Sequence, residues 1–111
     1  ALVKALSTTS EYEGKYSPKQ NQHIVVCGAI NYTGVLYFFK EFFHEIGHGR
    51  MKVVFLAPKE PDFELKSLLF QDPLLAPRTT YLVGSPLVRA DLKRARLDVA
   101  KACFVLSNTY G

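Results

Sequence analysis

The segment Ile24-Val25-Val26-Cys27 carries no polar side chain at alternate positions and is ended by Gly28. A strand built from it is apolar on both faces and has to be covered on both, as in the interior of a parallel sheet rather than in a half-solvated hairpin. Similar runs recur at Met51-Lys52-Val53-Val54-Phe55-Leu56-Ala57, at Thr79-Thr80-Tyr81-Leu82-Val83 and at Ala102-Cys103-Phe104-Val105-Leu106. The stretches between them change period. Asn31 is placed to cap a helix in which Val35, Leu36, Phe39, Phe42, Phe43 and Ile46 recur at three-and-four spacing, with Gly47 and Gly49 to stop it. Pro61-Asp62 reads as the start of a second helix, carried by Phe63, Leu65, Leu68 and Leu69. Pro73 and Pro77 bound a loop, and Ser85-Pro86 fits an N-cap with proline at the first helical position. Along that third helix Val88, Leu92 and Ala95 are expected to face inward, with Arg89, Lys93, Arg94 and Arg96 on solvated faces.

Strand alternating with helix four times over predicts an α/β fold: a Rossmann-like three-layer half-domain whose parallel sheet has the strand order 3-2-1-4. Such a sheet normally continues beyond a fourth strand, so the chain is expected to be the N-terminal part of a larger domain, with exposed edges at strands three and four. Residues 1–22 differ in composition, Ser7 to Gln22 being rich in Ser, Thr, Lys and Gln. They read as a linker or arm, and residues 23–111 as the folded unit.

With 111 residues, 48% hydrophobic and 22% charged, the chain suits one globular domain. No apolar stretch approaches the ~20 residues of a bilayer span. The net charge of +4 is spread along the sequence. Cys27 and Cys103 each sit in an apolar run and read as buried thiols; neither a disulfide framework nor a close zinc-binding pair is present.

The turn Gly28-Ala29-Ile30-Asn31-Tyr32-Thr33-Gly34 occupies the place of a dinucleotide fingerprint, yet the second and third glycine positions hold Ile30 and Thr33. Leu56-Ala57-Pro58-Lys59 supplies no acid for a ribose. Both features argue against a nucleotide cofactor. Glu41, His44 and Glu45 lie within one turn and are candidates for cation or proton sensing, the plain alternative being a solvated helix end. His48 reads as a loop residue and His23 as a satisfied edge histidine. Arg89, Lys93, Arg94 and Arg96, joined by Arg78, form a basic cluster with no aromatic side chains between them, which argues against nucleic acid. No serine or cysteine nucleophile comes with a nearby base, so no enzymatic activity is expected.

Several segments, in order, resemble the RCK (regulator of K⁺ conductance) domains of Slo-type, ion-activated potassium channels. Tyr12-Glu13-Gly14-Lys15-Tyr16-Ser17 is similar to the stretch that links the pore helix to the first RCK domain; Tyr12, Gly14 and Tyr16 are the matching positions. His23 to Gly28 resembles the first strand, Phe38-Phe39-Lys40-Glu41-Phe42-Phe43-His44 the aromatic first helix, and Val53 to Leu56 with Pro61 to Leu65 the second strand and helix. Gly84-Ser85, Asp91-Leu92-Lys93-Arg94-Ala95 and Ala102 to Asn108 complete the series. The resemblance implies a cytoplasmic domain at the membrane face of a homotetrameric channel passing potassium ions. It would act with the remainder of its own RCK domain and a second RCK domain to turn binding of regulatory calcium, sodium or magnesium into a pull on the gate. It also implies that the arm is under tension and that no cofactor binds this stretch itself. The calcium-ligand position of calcium-activated members falls on apolar Ile46, and the magnesium-site acids fall on Lys52 and Thr80, while Glu41 and His44 keep their residue types. Arg78 to Leu82 and Gly84-Ser85 look closer to the sodium-activated branch. The alternatives are a nucleotide-binding RCK domain of the KTN type, from a potassium transport system, and a truncated NAD-dependent oxidoreductase.

Overall fold

The computed structural model describes residues 12–19, 22–48 and 51–107, the side chains of residues 43–48 excepted. Four strands, β1 (His23–Gly28), β2 (Lys52–Ala57), β3 (Thr79–Val83) and β4 (Ala102–Leu106), form one parallel sheet in the order β3-β2-β1-β4. The expected architecture is therefore observed. Register runs Val25 opposite Val54 and Cys103, and Phe55 opposite Tyr81. Three helices connect the strands: α1 (Tyr32–His48), α2 (Phe63–Phe70) and α3 (Arg89–Arg94).

Alternate residues of the central strands fill two cores. Ile24, Val26, Val53, Phe55 and Tyr81 meet Val35, Phe38 and Phe39 of α1 and Leu65 and Leu69 of α2. Val25, Cys27, Val54, Leu56 and Leu82 form the opposite core with Ala95, just beyond α3. Val25, Val26, Val53, Val54, Phe55 and Leu56 are all fully buried, each contributing roughly 1.5–3 kcal/mol by leaving water. The two-sided apolar pattern of β1 and β2 is explained by these two layers.

Local chemistry sets the helix starts. The Asn31 side chain accepts from the Gly34 N–H at 2.8 Å, and Asp62 caps α2 by accepting from the Leu65 N–H at 2.9 Å. Gly28 has φ +97°, and a Cβ there would stand 2.5 Å from the Leu106 carbonyl oxygen. It is a glycine because β4 passes against its backbone.

Five expectations need correction. Cys103 is exposed, because β4 is an edge strand whose Cys103–Val105 face carries no covering layer, and Val105 is 72% exposed. Phe63 is 79% exposed, because as the first residue of α2 it lies off the face that Leu65 and Leu69 turn to the core. Ser85 does not cap α3: its Oγ accepts from the Leu87 N–H at 3.0 Å in a separate turn, and the helix begins later, at Arg89. That delay leaves Val88 exposed. Gly47 does not end α1, which runs to His48 with a break from helical geometry at Phe42 (φ −113°, ψ 21°). The side chains of Phe43 and Ile46, and all of Gly49, lie outside the described residues.

Candidate functional site

The arm is held against the sheet from its first described residue. Tyr12 is buried, its ring packed edge-on against Tyr81 at 5.5 Å, and its carbonyl accepts from the Val83 N–H at 2.8 Å. Tyr81, at the edge strand, is fixed at its far end by a hydrogen bond from its hydroxyl to the Lys59 carbonyl at 2.8 Å. Burial, with the nearby Tyr12, Asp62 and Glu60, pushes the Tyr81 phenol up to about 12.

One guanidinium joins the arm to the opposite layer. Arg94 Nη2 donates to the Tyr12 carbonyl at 3.1 Å, Nε to the Gly14 carbonyl at 2.8 Å and Nη1 to the Val83 carbonyl at 2.8 Å. Nη1 also meets Asp91 Oδ1 at 2.6 Å. The other Asp91 oxygen accepts from the Ser85 N–H at 2.9 Å. That backbone donor, with the Arg94 hydrogen bond, holds the Asp91 carboxyl below the usual carboxylate range. Gly84 makes the pairing possible, because a Cβ there would lie 2.6 Å from Asp91 Cγ. The backbone of Arg94 adds a further tie, its carbonyl accepting from the Tyr16 N–H at 2.7 Å. Tyr16 then lays its ring on His23 at 4.5 Å, and His23 Nε2 is bonded to the Ala95 carbonyl at 3.0 Å. Burial raises the Tyr16 phenol above its ordinary value.

Tyr12, Gly14 and Tyr16, singled out from the sequence, thus converge on one residue that was assigned to a solvated face. Arg94 is instead half-buried, and its guanidinium makes four hydrogen bonds. Its i, i+3 spacing from Asp91 is the available signal; its acceptors in the arm, the carbonyls of Tyr12 and Gly14, lie 82 and 80 positions away, and that of Val83 lies 11 away. The rest of the basic cluster is divided: Arg78 Nη1 donates to the Leu74 carbonyl at 2.7 Å, whereas Lys93 and Arg96 line one groove with Lys15, Arg96 pairing there with Asp98 at 3.1 Å. His23 is satisfied as expected, though in a central strand.

Of the sensing candidates, Glu41 is exposed on α1, and the side chains of His44 and Glu45 lie outside the described residues. Among the described residues no three His, Cys, Asp or Glu side chains stand close enough to hold a metal ion. Lys52 Nζ donates to the Pro77 carbonyl at 2.9 Å, and Thr80 is half-buried in β3. An ammonium repels magnesium, and a hydroxyl without a carboxylate beside it does not make a site for it. At the fingerprint turn, Ile30 is half-buried and packs against the core on the α1 side of the sheet. No helix among the described residues is long and apolar enough to cross a membrane.

A family model, described as the calcium-activated potassium channel slowpoke-like RCK domain, matches residues 19–111. The chain is 33% identical over 111 residues to the calcium-activated potassium channel slowpoke of Drosophila melanogaster, covering 98% of this chain and 9% of that protein. It is 34% identical to potassium channel subfamily U member 1 of Rattus norvegicus, covering 98% and 10%. Against the calcium-activated potassium channel slo-1 of Caenorhabditis elegans it is 37% identical over 101 residues, covering 90% and 8%. The chain spans about a tenth of the length of these relatives.

Proposed function

The chain belongs to the slowpoke-like RCK domain family of calcium-activated potassium channels, and from that premise we propose that it is a regulatory, non-catalytic domain of an ion-activated potassium channel. It couples ligand binding on the cytoplasmic side of the membrane to opening of the pore. The observation that carries this reading is the fastening of the arm: Arg94 takes hold of Tyr12, Gly14 and Val83 at once. A pull arriving along the chain at residue 12 meets the edge of the sheet, through Val83 N–H and the Tyr81 ring, and the charged clamp of Arg94 together. Force and displacement then pass to α3 and the edge of β3 together, as a two-state coupling between ligand and gate requires.

Lys52 and Thr80 leave the magnesium position without a carboxylate, and the reading places the regulatory cation, calcium, sodium or magnesium, outside the described residues. The remainder of the RCK domain, a second RCK domain and a homotetrameric ring complete the assembly. Recording potassium current from the full-length protein, with each cation varied in turn on the domain's side, tests the reading. Open probability is expected to rise with one of them, and the rise to be at least halved by Arg94→Gln, which shortens the side chain and removes its guanidinium and charge. A current indifferent to all three cations, or no potassium current, contradicts it.

A further inference from the structure

We propose that Ser17 is a phosphorylation site for a proline-directed protein kinase, and that its phosphate is received by the basic groove between the arm and α3. Ser17 is exposed, in a stretch of the arm that is neither helix nor strand. Pro18 follows it, and a proline biases the preceding residue toward extended backbone while offering no N–H of its own. Extended backbone lets a substrate hydroxyl reach the catalytic aspartate and the γ-phosphate of ATP in a kinase. A kinase pocket with no acceptor for an N–H at the next position selects serine followed by proline. Lys15 and Lys19, on either side, are exposed as well.

The groove itself holds about 480 Å³ and is lined by Lys15, Tyr16, Ser17, Pro18, Lys93, Arg96 and Asp98. Three cations there face one carboxylate. Asp98 is already paired with Arg96, at 3.1 and 3.2 Å, which leaves the charge of Lys15 and Lys93 in excess. Arg96 is the one described non-glycine residue with positive φ (55°, ψ 49°); this left-handed step out of α3 turns the chain into the groove wall. A phosphoserine brings roughly −1.5 to −2 charges and three acceptor oxygens into that excess. In the transfer, Ser17 Oγ attacks the γ-phosphorus of magnesium-bound ATP, a new O–P bond forms and the bond to the β-phosphate oxygen breaks. ADP leaves, and the hydroxyl proton passes to the aspartate of the kinase. The phosphate then ties residue 17 to residues 93 and 96, on either side of the Arg94 clamp. This site rests on where the arm lies and holds whether or not the arm leads to a pore.

The test treats the full chain with a purified proline-directed kinase and magnesium ATP, maps the phosphate by mass spectrometry and follows its titration by phosphorus NMR. Phosphate is expected on Ser17 and not on the Ser17→Ala chain. Its second ionisation is expected to fall from about 6 to about 5.5 or lower beside the cations. In the Lys93→Gln/Arg96→Gln chain, phosphorylated equally, it should return to about 6. Absence of phosphate from Ser17 overturns the site, and a titration unaffected by the double substitution overturns the groove as its receiver.

Discussion

Arg94 is tied to residues that come from three separate parts of the chain, and its neighbours are shaped to let it. Asp91 orients the guanidinium, Ser85 N–H orients Asp91, and Gly84 leaves room for the carboxylate. Gly84→Ala is therefore expected to push Asp91 aside and loosen the clamp, lowering stability by about 1–3 kcal/mol in denaturant unfolding. A change under a few tenths would show that the clearance is not needed. Acid should act on the same group. The folded Asp91 carboxyl titrates below its unfolded value of about 3.9, so its stabilisation is complete above that pH and is lost as pH falls through the lower folded value. The difference in Tm between the wild-type and Asp91→Asn chains should accordingly shrink between about pH 5 and pH 2; a constant difference would contradict the assignment. None of this was legible in the sequence beyond the spacing of Asp91 and Arg94. Helical periodicity says which face a residue occupies, but carbonyl acceptors contributed by residues 12, 14 and 83 appear only once the sheet has brought them together.

At the level of elements, the strands were the legible part. Continuous β-branched runs in β1 and β2 signal burial on two faces, and the order β3-β2-β1-β4 is that of the first half of a doubly wound nucleotide-binding-type sheet. Helix ends were legible where a side chain caps them, at Asn31 and Asp62, and misread at Ser85, where a turn intervenes before α3. The pattern of β4 was the harder one. It resembles a two-sided strand, yet Phe104 packs with Phe38 and Phe42 while Cys103 and Val105 face outward. Cys27 and Cys103 therefore differ in reactivity. Burial first, and then the neighbouring Cys103, push the Cys27 thiol up to about 11, whereas Cys103 is open to reagents. Alkylation of the folded chain near neutral pH, mapped by mass spectrometry, should label Cys103 at least tenfold faster than Cys27. Equal rates would mean that Cys27 is not covered as described.

On the scale of the whole molecule, the sheet and the arm form one mechanical unit. Tyr12 shares a core with β1, β2 and α1, and Tyr16 shares the opposite core with β1 and the end of α3, so the arm reaches both layers. The resemblance singles out Tyr12, Gly14 and Tyr16, and the structure joins all three to Arg94. The regulatory reading stands or falls on whether that joint is a discrete fastening. Hydrogen exchange at single amides in the wild-type and Arg94→Ala chains measures this most directly. Tyr16 N–H and Val83 N–H, which donate to Arg94 and Tyr12, are expected to lose protection together, by about tenfold or more, while Val25 and Val54 in the central strands keep theirs. Unchanged protection at Tyr16 and Val83, or a loss that spreads equally to Val25 and Val54, would contradict the existence of a separable clamp between arm and sheet.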